Sequence, residues 1–474
     1  MSASLKELLR DARIDLVLSR IEKDESVIEE VIKHLNSDIR SIKFNAIYVL
    51  GELGQKSING ISKLKTCLED SDWSICREAA RSLGKIGDLA KESIPQLSKM
   101  LKDREESIRK ESAISLGQIG NPTHESIASL IEALEDNSEI VRTEVAKALG
   151  KVGPDAYDAI QSLMKSLTDV SWTVRTASAH SISQIGRGST KAIPNLINTL
   201  EDPDWRVRSR VSNTLIEIGT EAVPSLLEII DHKNEIVRKE VADTLGELGI
   251  PDPKIISGLS SLLNDRVESV RGKAADALRS IGREAVPALI KAIETSNIRM
   301  KNLFISALGG IGTDAKEALP VIINLLKNPE QEKEYIATFT NRLKKNLVTF
   351  LKDPTSKKAS VRVEAARALG KIGINSEDAV YALEKALNDP KYITRREAAL
   401  YLGKLGSFAN IAIPSLIKAL EDKNPDVRWR ASEALGFIGA KTEDVISGLN
   451  GLIHDECDYV CESAINALDE LTEE

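Results

Sequence analysis

Leu50-Gly51-Glu52-Leu53-Gly54 returns as Leu83-Gly84-Lys85-Ile86-Gly87 and again as Leu116-Gly117-Gln118-Ile119-Gly120. The closing glycine of the phrase falls at 54, 87, 120, 153, 186, 219, 249, 282, 312, 373, 406 and 439, and Thr472 stands in the next slot. The steps are 33 residues, apart from two of 30 and one of 61. Self-similarity at such a period marks an array of supersecondary units. The 61-residue step is close to two periods, so a degenerate copy is expected at about 313–345, for about fourteen repeats in all.

Each repeat reads as two helices. In 190–219, Ala192-Ile193-Pro194-Asn195-Leu196-Ile197 opens a first helix that ends near Leu200. Glu201-Asp202-Pro203-Asp204 makes the turn and sets an aspartate to cap the next helix. Trp205 to Ile218 then carries Val207, Val211, Leu215 and Ile218 at helical spacing. Gly219 is expected to close it in the left-handed conformation. Proline at 95, 194, 224, 287, 320 and 414 falls in the first turn of the first helix, where its missing N–H costs little.

Two further positions are fixed. Eleven residues before the closing glycine stands Lys43, Arg109, Arg142, Arg175, Arg208, Arg238, Arg271, Lys301, Arg362, Arg395 or Arg428, with Cys76 and Cys461 in the two remaining copies. Seventeen residues before it, aspartate recurs, as at Asp70, Asp103, Asp136, Asp169 and Asp202. The pairing predicts a ladder in which each arginine bridges the aspartates of its own repeat and the next.

The tetratricopeptide and ankyrin phrases are absent. The pattern Asp-x-x-x-x-Val-Arg-x-x-Ala-Ala-x-Ala-Leu-Gly-x-Ile-Gly, nearly complete at 265–282 and 422–439, resembles the short HEAT-like repeats named after phycobilisome lyases. That resemblance implies an all-α fold, an α-solenoid wound as a superhelix of two-helix HEAT-like repeats. A lone helix pair cannot bury its apolar face, so neighbours must stack. Residues 1–24 are expected to form an N-terminal capping helix with Leu5, Leu8, Leu9, Ala12, Leu16 and Ile21 as its apolar stripe. Repeats one to nine follow in 25–312. A degenerate repeat with a long helix at 330–351 and a polar loop at 355–360 occupies 313–360, and further repeats with a polar cap complete 361–474.

Composition narrows the class. Apolar residues make up 42% of the 474 and charged residues 29%, which excludes a disordered chain. No apolar run is long enough for a membrane span. Four cysteines cannot make a disulfide framework, and the charged N-terminus lacks an apolar signal core, so a cytoplasmic location is expected. Net charge is −8, against a whole-surface nucleic-acid binder.

No catalytic constellation emerges. Neither a nucleophile elbow nor a phosphate-binding glycine loop is present. Glu78, Glu111, Glu144, Glu240, Glu364 and Glu397 match the glutamates of two-iron HEAT-like hydroxylases, but no histidine precedes any of them. His454, Cys457 and Cys461 are close in sequence yet lack a fourth ligand for structural zinc. No enzyme activity, metal or cofactor is expected. Trp73, Trp172, Trp205 and Tyr392 share one slot at the start of the second helix and are read as packing over the turn.

The second helices of HEAT-like arrays line the inner surface. Their solvent ridge is expected thirteen, ten, six and two residues before the closing glycine. It offers Arg77, Arg81 and Lys85, then Lys147 and Lys151, and later Arg367, Lys371, Arg396 and Lys404. Between them the ridge is neutral to acidic. Trp429 and Phe437 lie two turns apart on one face, and Phe44 and Tyr48 play the same part near the N-terminus. Exposed aromatics of this kind serve as interface anchors. The expectation is a non-catalytic scaffold or adaptor whose concave face grips a protein partner through an acidic or extended segment. Alternatives are a nucleic-acid binder using the basic strips and, by resemblance alone, a bilin lyase-like chaperone.

Overall fold

The computed structural model describes residues 3–186, 188–296, 298–327 and 361–472. The long helix expected at 330–351 and the loop at 355–360 lie outside them. Every regular element among the described residues is helical. Two compact units divide the chain, Met1–Ile229 and Ile230–Glu474.

In the first unit the second helices are Arg40–Leu53, Trp73–Ile86, Glu106–Ile119, Glu139–Val152, Trp172–Ile185 and Trp205–Ile218, each packed on the next. The first helices are shorter, such as Ile94–Met100 and Ile193–Thr199, and 3-10 turns such as Gly87–Ser93 lead into several of them. In the second unit Glu235–Leu248, Glu268–Ile281, Ile298–Ile311, Val361–Ile372, Tyr392–Lys404, Pro425–Ile438 and Asp458–Thr472 stack in the same manner.

The pattern read from 190–219 is realised. Asp204 accepts the N–H of Arg206 as the cap, and Val207, Val211 and Leu215 are fully buried. Gly219 takes φ 89° with ψ −141°, a region open to glycine but not the left-handed helical well. From it the chain passes at once into the 3-10 turn Gly219–Ala222. Gly373 departs from the rule, since the positive φ near that helix end belongs to Asn375.

The first glycine of the phrase has a separate cause. A Cβ on Gly117 would stand 2.8 Å from the Cα of Ala148 in the neighbouring second helix, so the two backbones touch there. Hydroxyl groups at the same level tie helix to helix. Ser115 donates to the carbonyl of Ala80 at 2.8 Å, and Ser181 to that of Ala146 at 2.7 Å.

The ladder forms with one change of detail. Arg142 sends Nε and Nη2 to both carboxylate oxygens of Asp169, at 2.7 and 2.8 Å. Toward its own repeat it uses Nη1, which donates to the main-chain oxygen of Asp136 at 2.8 Å rather than to the carboxylate. The same fork joins Arg109 to Asp136 and Arg175 to Asp202, and in the second unit Arg238 to Asp265, Arg395 to Asp422 and Arg428 to Asp455. Each aspartate also takes an N–H two residues on, as Asp169 does from Ser171. Where cysteine replaces arginine, the thiol keeps only the local bond. Cys76 donates to the carbonyl of Asp70 at 2.9 Å and Cys461 to that of Asp455 at 3.1 Å.

The N-terminal stretch is two helices, Leu5–Arg10 and Ile14–Lys23, not one. Ala12 sits at φ 54° in the break. Leu5, Leu8, Leu9 and Ile21 are buried, whereas Leu16 turns outward.

Two outcomes follow from the ladder. Arg142→Ala should cost about 2–3 kcal/mol, somewhat less than the loss of a fully buried pair because both partners keep some solvent. Urea unfolding checks it. Arg238 hydrogen bonds hold the Asp265 carboxyl below its usual 3.8, against the opposing effect of burial. Its contribution is therefore complete above that value and is lost as pH falls through the lower folded-state value. Wild type should exceed Asp265→Asn in stability near neutrality, and acid titration should show the gap closing below about 3.8.

Candidate partner-binding surface

The expected ridge residues lie on the second helices, and five of the nine basic ones are paired with acids. Arg81 forks onto Glu111 of the next second helix, with Nη2 at 2.8 Å and Nε at 3.2 Å, and its Nη1 reaches Glu78 at 3.1 Å. Arg367 repeats this arrangement in the second unit, donating to Glu364 at 2.7 Å and Glu397 at 3.2 Å. Arg396 reaches Glu397 at 2.6 Å. Lys147 pairs with Glu144 at 2.9 Å and Lys85 with Glu52 at 2.6 Å.

These glutamates, nine residues before the closing glycine at 78, 111, 144, 364 and 397, were legible as a recurrent column but not as ridge partners. They are substantially buried, so the arginines above them neutralise charge that water reaches poorly. Burial pushes the Glu78 carboxyl up despite Arg81. It acts the same way on Glu397, but Arg367 and Arg396 overcome it and hold that carboxyl below the usual range. The two basic strips are thus in large part an internal ladder of ion pairs, and the positive charge they present is reduced.

The remaining basic positions stand differently. Arg77 stacks over Trp73 at 5.2 Å, and Lys404 lies over Tyr401 at 5.1 Å. Lys151 and Lys371 are exposed. Phe44 and Tyr48 are half-buried, and Lys85 sits 5.4 Å above the Tyr48 ring. A hydrogen bond to Glu52 raises the Tyr48 hydroxyl above its ordinary value. The tryptophan slot does not pack over the turn as expected. Trp73, Trp172 and Trp205 face solvent, Trp205 at 67% exposure, and arginines lie over two of them, Arg77 over Trp73 and Arg206 3.5 Å over Trp172.

Trp429 and Phe437 open onto a cavity of about 320 Å³ between Pro425–Ile438 and Asp458–Thr472. Tyr459 forms the third aromatic wall, its ring edge-on to Trp429 at 5.6 Å and 80°. Glu433, Glu462 and Glu470 line it too, with Ser463, Asn466 and Ala467 between them. Tyr459, Glu462 and Glu470 stand thirteen, ten and two residues before Thr472, at the ridge positions of the last repeat. What spacing alone left open was that two helices 33 residues apart bring them together around one opening.

The cysteine and histidine set falls apart in space. His454 is exposed, and Cys461 points its thiol at the Asp455 carbonyl. Asp455, Glu456 and Cys457 bring donor atoms within 4.8 Å of one another, but both Asp455 oxygens already hold Arg428. Burial pushes the Cys76 thiol up to about 11, as suits a small apolar filler. Among the described residues no helix is long and apolar enough to cross a membrane.

Stacked two-helix repeats with a fixed interface chemistry define an α-solenoid. HEAT repeats match overlapping stretches at 28–117, 61–150, 94–183, 127–198, 193–279, 256–337, 345–412 and 405–469, and the chain belongs to that family. Among curated proteins none matches it in sequence. Of solved structures, Kap121p bound to Ste12p is similar over 95% of this chain and 49% of its own, with TM-score 0.53 and 16% identity. A multiply substituted Kap121p is similar over 95% and 48%, with TM-score 0.50 and 14% identity. The chain thus spans about half the length of these structures, and at such identity the likeness is one of fold.

Arg81→Gln should lower stability by about 1–2 kcal/mol, since it leaves Glu78 and Glu111 without their cation while some solvent reaches the site. Adding Glu111→Gln should recover part of the loss, and a double-mutant cycle in urea reads the coupling.

Proposed function

We propose that the protein is a non-catalytic scaffold or adaptor that holds another protein against its layer of second helices. The observation that carries this reading is the aromatic opening at Trp429, Phe437 and Tyr459, since Phe437 is 56% exposed on a helix whose other apolar side chains are mostly buried. Large aromatics beside a pocket are the usual anchors of a protein interface. The Gly117–Ala148 contact shows how close neighbouring second helices come, and close spacing in one layer favours the concave side. Kap121p, similar in fold, is bound to the protein Ste12p in one of its structures.

Of the expected partner character we keep an extended segment, which can follow successive repeats and gather affinity from many small contacts. The paired arginines give little basis for selecting acids. Remaining basic residues such as Lys151 and Lys371 support phosphate binding only as a second reading, and the lyase-type variety of the repeat stays a resemblance from which no chemistry is derived. A cytoplasmic setting belongs to the same proposal.

Affinity purification of the tagged protein, with and without nuclease, tests it. A stoichiometric protein partner should survive nuclease and be lost from the Trp429→Ala/Phe437→Ser variant. Loss of the partner on digestion, or its full retention by that variant, would sink this reading.

A further inference from the structure

The aromatic cavity of the second unit has a charge opposite to the one a basic ridge would present. Glu433, Glu462 and Glu470 line it beside Trp429, Phe437 and Tyr459. Only Glu433 has a cation at hand, the neighbouring Arg430 at 2.5 Å. Glu462 and Glu470 are exposed and have no ion-pair partner among the described residues. With Arg430 counted, the lining keeps a formal surplus of two negative charges.

Local packing fixes the walls. Ser463 donates to the Trp429 carbonyl at 3.3 Å, which ties the two helices at the level of the indole. The Tyr459 hydroxyl donates to Asp426 at 3.2 Å and so holds its ring across the opening. A Cβ on Gly436 would stand 2.7 Å from a Glu470 carboxylate oxygen, so the glycine leaves room for that carboxylate against the neighbouring helix.

The chain itself displays the chemistry these groups accept. Arg430 lays its guanidinium 3.7 Å over the Trp429 ring while Glu433 holds it by a charged hydrogen bond. An aromatic face with a carboxylate beside it binds a flat cation by quadrupole attraction and a charge-assisted bond together. Phe437, Tyr459, Glu462 and Glu470 offer the same two components with no internal arginine supplied. A cavity of about 320 Å³ is at the low end of ligand pockets, suited to one long side chain rather than a folded element.

We infer that this cavity takes an arginine side chain from a basic, extended segment of the partner protein. The inference rests on the scaffold reading and specifies its chemistry. The partner segment is cationic here, opposite to the acidic segment suggested by the ridge charges in sequence.

Fluorescence anisotropy tests it with a labelled peptide of arginines spaced by Gly-Ser and with its citrulline counterpart, which keeps shape and planarity but not charge. The arginine peptide should bind at least tenfold more tightly at low salt. Glu462→Gln/Glu470→Gln should weaken it at least fivefold, whereas Glu132→Gln/Glu135→Gln, two exposed acids of the first unit, should leave it unchanged. Circular dichroism should show both variants folded. Equal affinity for the two peptides, or equal weakening by both acid variants, would overturn the assignment. If Trp429→Ala/Phe437→Ser still releases the natural partner while the peptides are not distinguished, the cation falls and the docking surface stands. Retention of the partner by that variant removes the docking surface, and the cation assignment with it.

Discussion

The arginine–aspartate fork is the constraint on which each unit depends. A second helix ends its first turn with an arginine whose two nitrogens clasp the aspartate of the following turn, while the third nitrogen holds the carbonyl at its own. One side chain therefore fixes both the entry of its own helix and the distance to the next. Because both members are largely shielded from water, neither can be left alone without exposing the other's charge to a poor solvent. The Gly-to-Ala contacts and the serine hydroxyls then set how closely the same helices approach. Core leucines, isoleucines and valines fill the space that these directional contacts define.

Most of this was legible because the chain repeats itself. The phrase around Gly54, Gly87 and Gly120 gave the helix ends, and the Arg–Asp column gave the ladder. The repeat could not say that Arg142 would use the carbonyl of Asp136 and leave its carboxylate to Arg109. That choice depends on where a guanidinium of fixed shape lands once the turn is built. Ala12 and Gly373 were misread for a related reason, since a local break follows from neighbouring contacts rather than from helical periodicity.

The surface was harder to read. A helical wheel places each charge as if it stood alone, so Arg81 and Arg367 read as free cations. Their acids sit one position round the wheel and one repeat along, at Glu111 and Glu397, and burial keeps them out of a solvent ridge. Conversely, it is the stacking of two helices that places Tyr459 and Glu470 round Trp429. Pairing across repeats decides both cases, and it is invisible to any count made one helix at a time.

Cys76 has a mechanical consequence. It takes the arginine slot and bonds only within its own turn, so the outer clasp to Asp103 is missing at that joint. Trp73–Ile86 and Glu106–Ile119 are still joined further along, by Arg81 on Glu111 and by Ser115 on the Ala80 carbonyl. A pair of rods pinned near the middle and unpinned at one end is a pivot. Twisting strain applied along the first unit would collect there, while joints with both fastenings turn as rigid links.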